Sequence, residues 1–475
     1  MAKLISADLT NNKLCILEYT TTDGEMLSFR DDAFDAKIVS HTYTDKGIVI
    51  FEKPITRIGR NSFTKAKTLS SVVMPNSVKM IDDGQEIDEG WCCYCIGAFS
   101  GCSAITSIYL SSNIISIGCS AFAHCEKLTD ISLPEGVKTI GNSAFKDNSS
   151  LTNVIIPNSV KSIGDDAFLG CINITNVTIY GNEATIGRRA FWDCYNLKNV
   201  NIHSGVIMIG GEAFYGCNSL SNISIPNSVT TIGDGAFYGC KSLSNINIPN
   251  SVTTIGESAF SCCFSLTSIT IPNSLTSIGV NIFSGCYNLA EFRSKFSSTD
   301  GRCLIINNIL YSFAPAGLKA YTIPDSVNVI GVRAFSSCEN LEQIIIPNGT
   351  ISIEGGAFQE CLSLLSITIP DSVTRIGDYA FDVCSSLTSI TIPNDVTIIG
   401  EGAFNRCDSL KNVTIGTSVC EIGKYAFGGC NIDTIVCYPT VPPKINNSFD
   451  EFENLIVPIG CEEAYANSEW GMYLE

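Results

Sequence analysis

Phenylalanines stand at positions 99, 122, 145, 168, 191, 214, 237, 260 and 283, a constant interval of 23 residues, and again at 335, 358, 381, 404 and 427. The blocks around them are near copies. Phe214 to Ala236 and Phe237 to Ala259 agree at 19 of 23 positions. A unit this short cannot enclose a hydrophobic core of its own, so each must stack on its neighbours. The chain is therefore expected to form a repeat solenoid rather than a globule.

Within one unit, Ile246 and Ile248 alternate with Asn245 and Asn247, the period of a short strand with one buried face. Pro249 cannot donate to a ladder, and Asn250-Ser251 favours a turn, so the strand ends there. Val252 and Ile255 point inward before Gly256, a residue suited to positive φ or to close approach of adjacent coils. Ala259, Phe260 and Cys263 then follow at the spacing of a short helical or 3-10 turn. Identical residues of successive coils should stack roughly 5 Å apart, so about fifteen coils would make a rod of roughly 70 Å.

The pattern Leu243-x-x-Ile246-x-Ile248-Pro249-x-Ser251-Val252-x-x-Ile255-Gly256-x-x-Ala259-Phe260-x-x-Cys263 resembles the BspA-like leucine-rich repeat family of the Treponema pallidum type. The likeness extends over most of residues 55 to 437. It implies a right-handed coil with a parallel β-sheet on the concave side and short turns opposite. It further implies adhesion or other protein contacts on the surfaces of bacteria and some parasitic protists, with no catalytic residues and no cofactor to carry over.

Residues 1–54 fall outside the frame. Alternation over Ala36 to Tyr43 and the apolar run Gly47 to Phe51 predict a hairpin that caps the first coil. Residues 55–437 form the solenoid, with excursions at 82–96 and 291–320 where the phenylalanine interval lengthens. In the first, Cys92, Cys93 and Cys95 beside Cys102 suggest zinc, but two separated Cys-x-x-Cys pairs are missing and no histidine is near, so no metal is expected. In the second, Asn307-Asn308 between Cys303 to Ile306 and Ile309 to Phe313 predicts a hairpin, which either projects as a platform or interrupts the coil. Residues 438–475 are read as a C-terminal cap with Tyr465 and Trp470 turned inward.

A net charge of −18 disfavours nucleic acid or anionic lipid as partner. No apolar run reaches the roughly 18 residues needed to insert into a membrane. The first ten residues lack the apolar core of a secretory signal and no anchor is visible, which leaves surface, secreted and intracellular locations open. Thirteen of the 23 cysteines occupy the slot three residues after the frame phenylalanine, a regularity expected of buried packing thiols.

Two sets of exposed positions are candidates for partner binding. The outward slots of the central strands are uncharged: Asn176, Asn199, Asn201, Asn222, Ser224, Asn245, Asn247, Ser268 and Thr270. Amides and hydroxyls in such an array suit peptide backbone or sugar hydroxyls, although copying of repeats would generate the same pattern. On the opposite side, Trp192, Tyr195, Tyr215, Tyr238, Phe264 and Tyr287 form an aromatic strip if exposed, and interface anchors are often aromatic. A protein ligand of a host or neighbouring cell is the leading expectation. A glycan-binding module or an intracellular interaction scaffold are the alternatives. His41, His124 and His203 lie in different units and give an enzyme nothing to assemble around.

Overall fold

Alternation of polar and branched apolar residues produces the first structural element of each coil. Asn176–Ile179 and Asn199–Ile202 bury their valine and isoleucine and expose their asparagines. The structure, a computed structural model, describes residues 15–83, 85–88 and 93–474. Over these residues the chain winds as a β-solenoid of about 17 turns with almost no helix. Its contacts separate into two compact units, Met1–Gly256 with Ser274–Ser277 and Glu257–Asn273 with Ile278–Glu475.

In the first unit the long strands pair parallel and in register, residue i with residue i+23: Val154 with Val177, and Val177 with Val200. A second parallel ladder runs through strands of two to four residues that end, in most coils, on the isoleucine of an Ile-Gly pair, from Arg57–Ile58 to Thr254–Ile255. Here the glycine is required by close approach. A Cβ on Gly187 would lie 2.6 Å from the carbonyl carbon of Gly164, and one on Gly164 would lie 2.6 Å from the amide of Asn142.

The short turn opposite the long strand carries a third ladder that residue spacing did not resolve. Leu169 and Cys171 donate within the turn to the carbonyls of Asp166 and Phe168, as a tight turn requires. Amides of Asp166, Phe168 and Gly170 donate instead to the next coil, to Arg188, Ala190 and Trp192 at 2.8 to 2.9 Å. Asp166 and Gly170 are left-handed, φ 57° and 70°, so three alternate amides point the same way. Where the long strands also pair, as from Asn153 to Ser224, a coil is hydrogen-bonded to its neighbour on three sides.

Between the ladders lies a core of columns. Phenylalanines 99 to 237 stack with centroids 5.1 to 5.5 Å apart and ring planes within 16° of parallel. The slot cysteines are buried as free thiols, and Cys171, Cys194 and Cys217 donate Sγ to the carbonyls of Phe145, Phe168 and Phe191 at 3.1 to 3.3 Å. Asn148 replaces one cysteine of the column; it is fully buried and accepts the Cys125 amide at 2.7 Å. At the N-terminal side, Ile38–Tyr43, Gly47–Phe51 and Ile16–Thr21 form an antiparallel sheet continued by Leu69–Val73. The 82–96 excursion pairs Gln85–Asp88 with Cys93–Ile96. Cys92 and the side chains of Cys93 and Cys95 lie outside the described residues.

The second unit repeats the plan. Its phenylalanines from 335 to 449 stack at 5.0 to 5.1 Å. The 291–320 excursion does not project as a platform. Asn307 and Asn308, φ 51° and 64°, turn a hairpin whose strand Ile309–Phe313 pairs with Val329–Ile330 and buries Leu310 and Phe313. Helix Glu462–Ala466 and the 3-10 turn Glu469–Tyr473 bury Tyr465 and Trp470, whose OH and Nε1 donate to the carbonyls of Pro439 and Pro443 at 2.8 Å.

Phe168→Ala should destabilise the protein by about 3–5 kcal/mol, because the ring is stacked on both faces and the hole cannot collapse without moving two ladders. Urea unfolding checks this. Burial pushes slot thiols such as Cys125, Cys194 and Cys217 up, and Cys102 and Cys286 to about 12. Folded and unfolded chains are both neutral at these groups below about pH 8.5, and only the unfolded chain ionises just above it. The thiols' contribution should therefore be constant below about pH 8.5 and should lower stability above it, by about 1.4 kcal/mol per thiol per pH unit, as measured by urea midpoints between pH 7 and 10.

Candidate functional site

The outward residues of the long strands in the first unit form two parallel rows, and the rows differ. In one, asparagines of successive coils bond to each other. Asn176 Nδ2 donates to Asn153 Oδ1 at 3.0 Å, Asn199 to Asn176 at 2.9 Å, and Asn222 to Asn199 at 3.2 Å. Asn176 and Asn222 also donate to the adjacent Thr175 and Ser221 hydroxyls. The row is a chain of amides that satisfy one another. An in-register parallel ladder places them at hydrogen-bond distance, so their exposure overstates their availability.

The second row is less committed. Asn201 Nδ2 meets His203 Nε2 at 3.2 Å, and Ser224 and Asn247 are exposed. Asn199, Asn201, Asn222, Ser224 and Asn245 border a shallow concavity of about 290 Å³ floored by Val200 and Ile223. Asn245 is exposed beside it. This face offers donors and acceptors of both kinds over an apolar floor, without a charged group. Ser268 and Thr270, in the second unit, hold the same slots but pair with Glu291 and Arg293, where the strand face becomes charged.

The aromatic residues fall into separate groups. Trp192, Tyr215 and Tyr238 are half-buried and stacked face to face, at 4.2 Å and 4.6 Å, with the Arg189 guanidinium 5.8 Å over the indole. Tyr195 occupies the other slot and is 43% exposed, its phenol pushed up by its hydrogen bond to Asp193. In the second unit Phe264 and Tyr287 stack at 5.4 Å; burial and Glu339, 3.1 Å from the phenol oxygen, push Tyr287 up to about 12. Rings stacked this way turn edges outward and give their faces to one another.

One feature of the amide face escaped the repeat pattern. Tyr180 and His203 replace the proline that ends most strands, and they stack at 4.3 Å with Tyr180 41% exposed. The signal was the loss of Ile-Pro in two consecutive coils. Tyr109 and Ile155, 61% and 60% exposed, extend the second row with apolar surface. The histidines do not converge: His41 bonds Tyr19 at 2.7 Å, and His124 lies 3.4 Å from Asp147. Among the described residues, no group of three His, Cys, Asp or Glu could hold a metal ion, and no helix is long and apolar enough to cross a membrane.

Asn199→Asp removes a donor and sets a charge between two amides. It should cost about 1 kcal/mol in urea unfolding, whereas Asn247→Asp, outside the amide chain, should stay within about 0.5 kcal/mol of the parent.

Comparison with known proteins agrees with this architecture. The family model "BspA type Leucine rich repeat region (6 copies)" matches residues 25–85, 96–221, 207–303 and 305–455. No curated protein matches the chain. Among solved structures, a leucine rich cell surface protein from Faecalibacterium prausnitzii is similar in fold, with TM-score 0.55 and 24% identity over 94% of this chain and 99% of that one. A leucine-rich repeat protein from Bacteroides ovatus gives TM-score 0.51 and 25% identity over 87% of this chain and 89% of its own. The matched segments span most of the sequence, and the chain belongs to the BspA-type leucine-rich repeat family.

Proposed function

We propose that the chain is a non-catalytic recognition protein of the cell surface that binds a partner protein through the uncharged strand face of its first unit. The observation that carries this reading is the pairing of the two rows. The amide chain from Asn153 to Asn222 fixes its side chains in place, while Asn201, Ser224 and Asn247 beside it present groups that a peptide backbone can engage. A face already ordered loses little side-chain entropy when a partner docks. The naming of the Faecalibacterium neighbour as a cell surface protein supports the location. A sugar-binding reading has less support, because the stacked rings of Trp192, Tyr215 and Tyr238 turn edges rather than faces to solvent.

Protease shaving and antibody labelling of intact source cells test the location. Labelling without lysis is expected, and protection until lysis would sink the surface assignment. For the face itself, binding to immobilised matrix and cell-surface proteins should fall at least about tenfold in the double variant Asn222→Asp, Asn245→Asp, because two buried carboxylates in an uncharged interface remain unpaired. Unchanged binding would move the site elsewhere.

A further inference from the structure

The two sheets of the second unit end differently. The short-strand sheet closes at Lys444–Ile445, where the Ile445 amide donates to the Glu469 carboxylate of the terminal 3-10 turn at 2.9 Å. The core beneath is covered by Trp470, packed 5.3 Å from Phe449. The long-strand sheet runs through Ser389–Ile392, Asn412–Ile415 and Ile432–Cys437 to Phe452–Ile456, and stops there. Among the described residues, no further strand pairs with Phe452–Ile456, so one edge of its backbone groups faces outward. Ile456 on this strand is 53% exposed.

A groove of about 860 Å³ begins at the same strand, bordered by Asp433, Asp450, Glu451, Phe452, Glu453 and Met472. Among the described residues, its one cation is Lys411, which is paired with Asp433 at 3.1 Å. Asp450 accepts the Gly429 amide at 2.7 Å. Glu451 and Glu453 are exposed, and among the described residues neither has an ion-pair partner.

We propose that Phe452–Ile456 is a docking edge for an extended basic peptide strand of a partner protein. The partner backbone would continue the sheet, and its lysine or arginine side chains would meet Glu451 and Glu453. Charge selects this occupant over a second copy of the chain, since a chain of net charge −18 meeting its own acidic edge is repelled. The surface is separate from the amide face of the first unit.

The test uses the full chain and a labelled octapeptide of alternating lysine and valine, acetylated and amidated at its ends, with anisotropy read at low salt. Saturable binding is expected. It should weaken at least about tenfold when alternate peptide nitrogens are methylated, which removes strand pairing, and by a similar factor in the variant Glu451→Lys, Glu453→Lys. The variant Asn222→Asp, Asn245→Asp should bind the peptide as the parent does, so failure of the amide-face reading is distinguishable. The proposal is overturned by equal binding of the methylated peptide, of an alternating glutamate-valine peptide, or by the charge-reversed variant. Dimers in sedimentation that dissolve on the same charge reversal would overturn it in favour of self-pairing.

Discussion

Everything in this protein depends on backbone hydrogen bonds that run from coil to coil. Three ladders carry them: long strands, short strands before glycine, and the turn in which residues such as Asp166 and Gly170 adopt positive φ. Backbone polar groups held away from water must be paired, and here most are paired with the neighbouring coil. That requirement explains why single residue types persist at their slots. Glycine at 164 and 187 admits the preceding coil's backbone, and the phenylalanine and cysteine columns fill a cross-section whose dimensions the ladders have already set.

The same register shapes the surface. Once strands align residue for residue, an exposed side chain meets the residue of the same slot in the next coil, and where that slot repeats it finds its own kind about one strand spacing away. For asparagine this yields a bonded chain, for aromatics a stack, and for threonine a hydroxyl that reaches a carbonyl one coil back, as Thr253 does to Thr230. Identical like-charged side chains so placed would repel. The strand face of the central coils carries none, and some charges elsewhere meet their opposite in the adjacent coil, as in Arg189 with Asp166 and Lys411 with Asp433.

Much of this was legible before any coordinates. The 23-residue interval implied stacking, the alternation at Asn245 to Ile248 implied one buried strand face, and Asn307-Asn308 implied a hairpin because asparagine tolerates the left-handed region. The third ladder was not legible, because the positions that adopt positive φ are filled by residues as different as glycine, aspartate, arginine, tyrosine and valine, with no common residue type to betray them. Exposure of the asparagines could be read from periodicity, but not that those of the first row are already bonded to one another. The stack of Tyr180 on His203 lay in plain sight as two missing prolines. It goes unnoticed when attention rests on what repeats rather than on what departs from it.

Because every interior coil offers its neighbours the same contacts, coils are interchangeable parts. Deleting or duplicating one whole block between equivalent phenylalanines joins surfaces that already match, while a partial block leaves amides facing side chains. Near-identical blocks such as those at Phe214 and Phe237 are also the stretches of coding sequence most open to unequal exchange. Natural forms of this protein should therefore differ in length by whole multiples of 23 residues within the regular coils, with reach varied while register is kept.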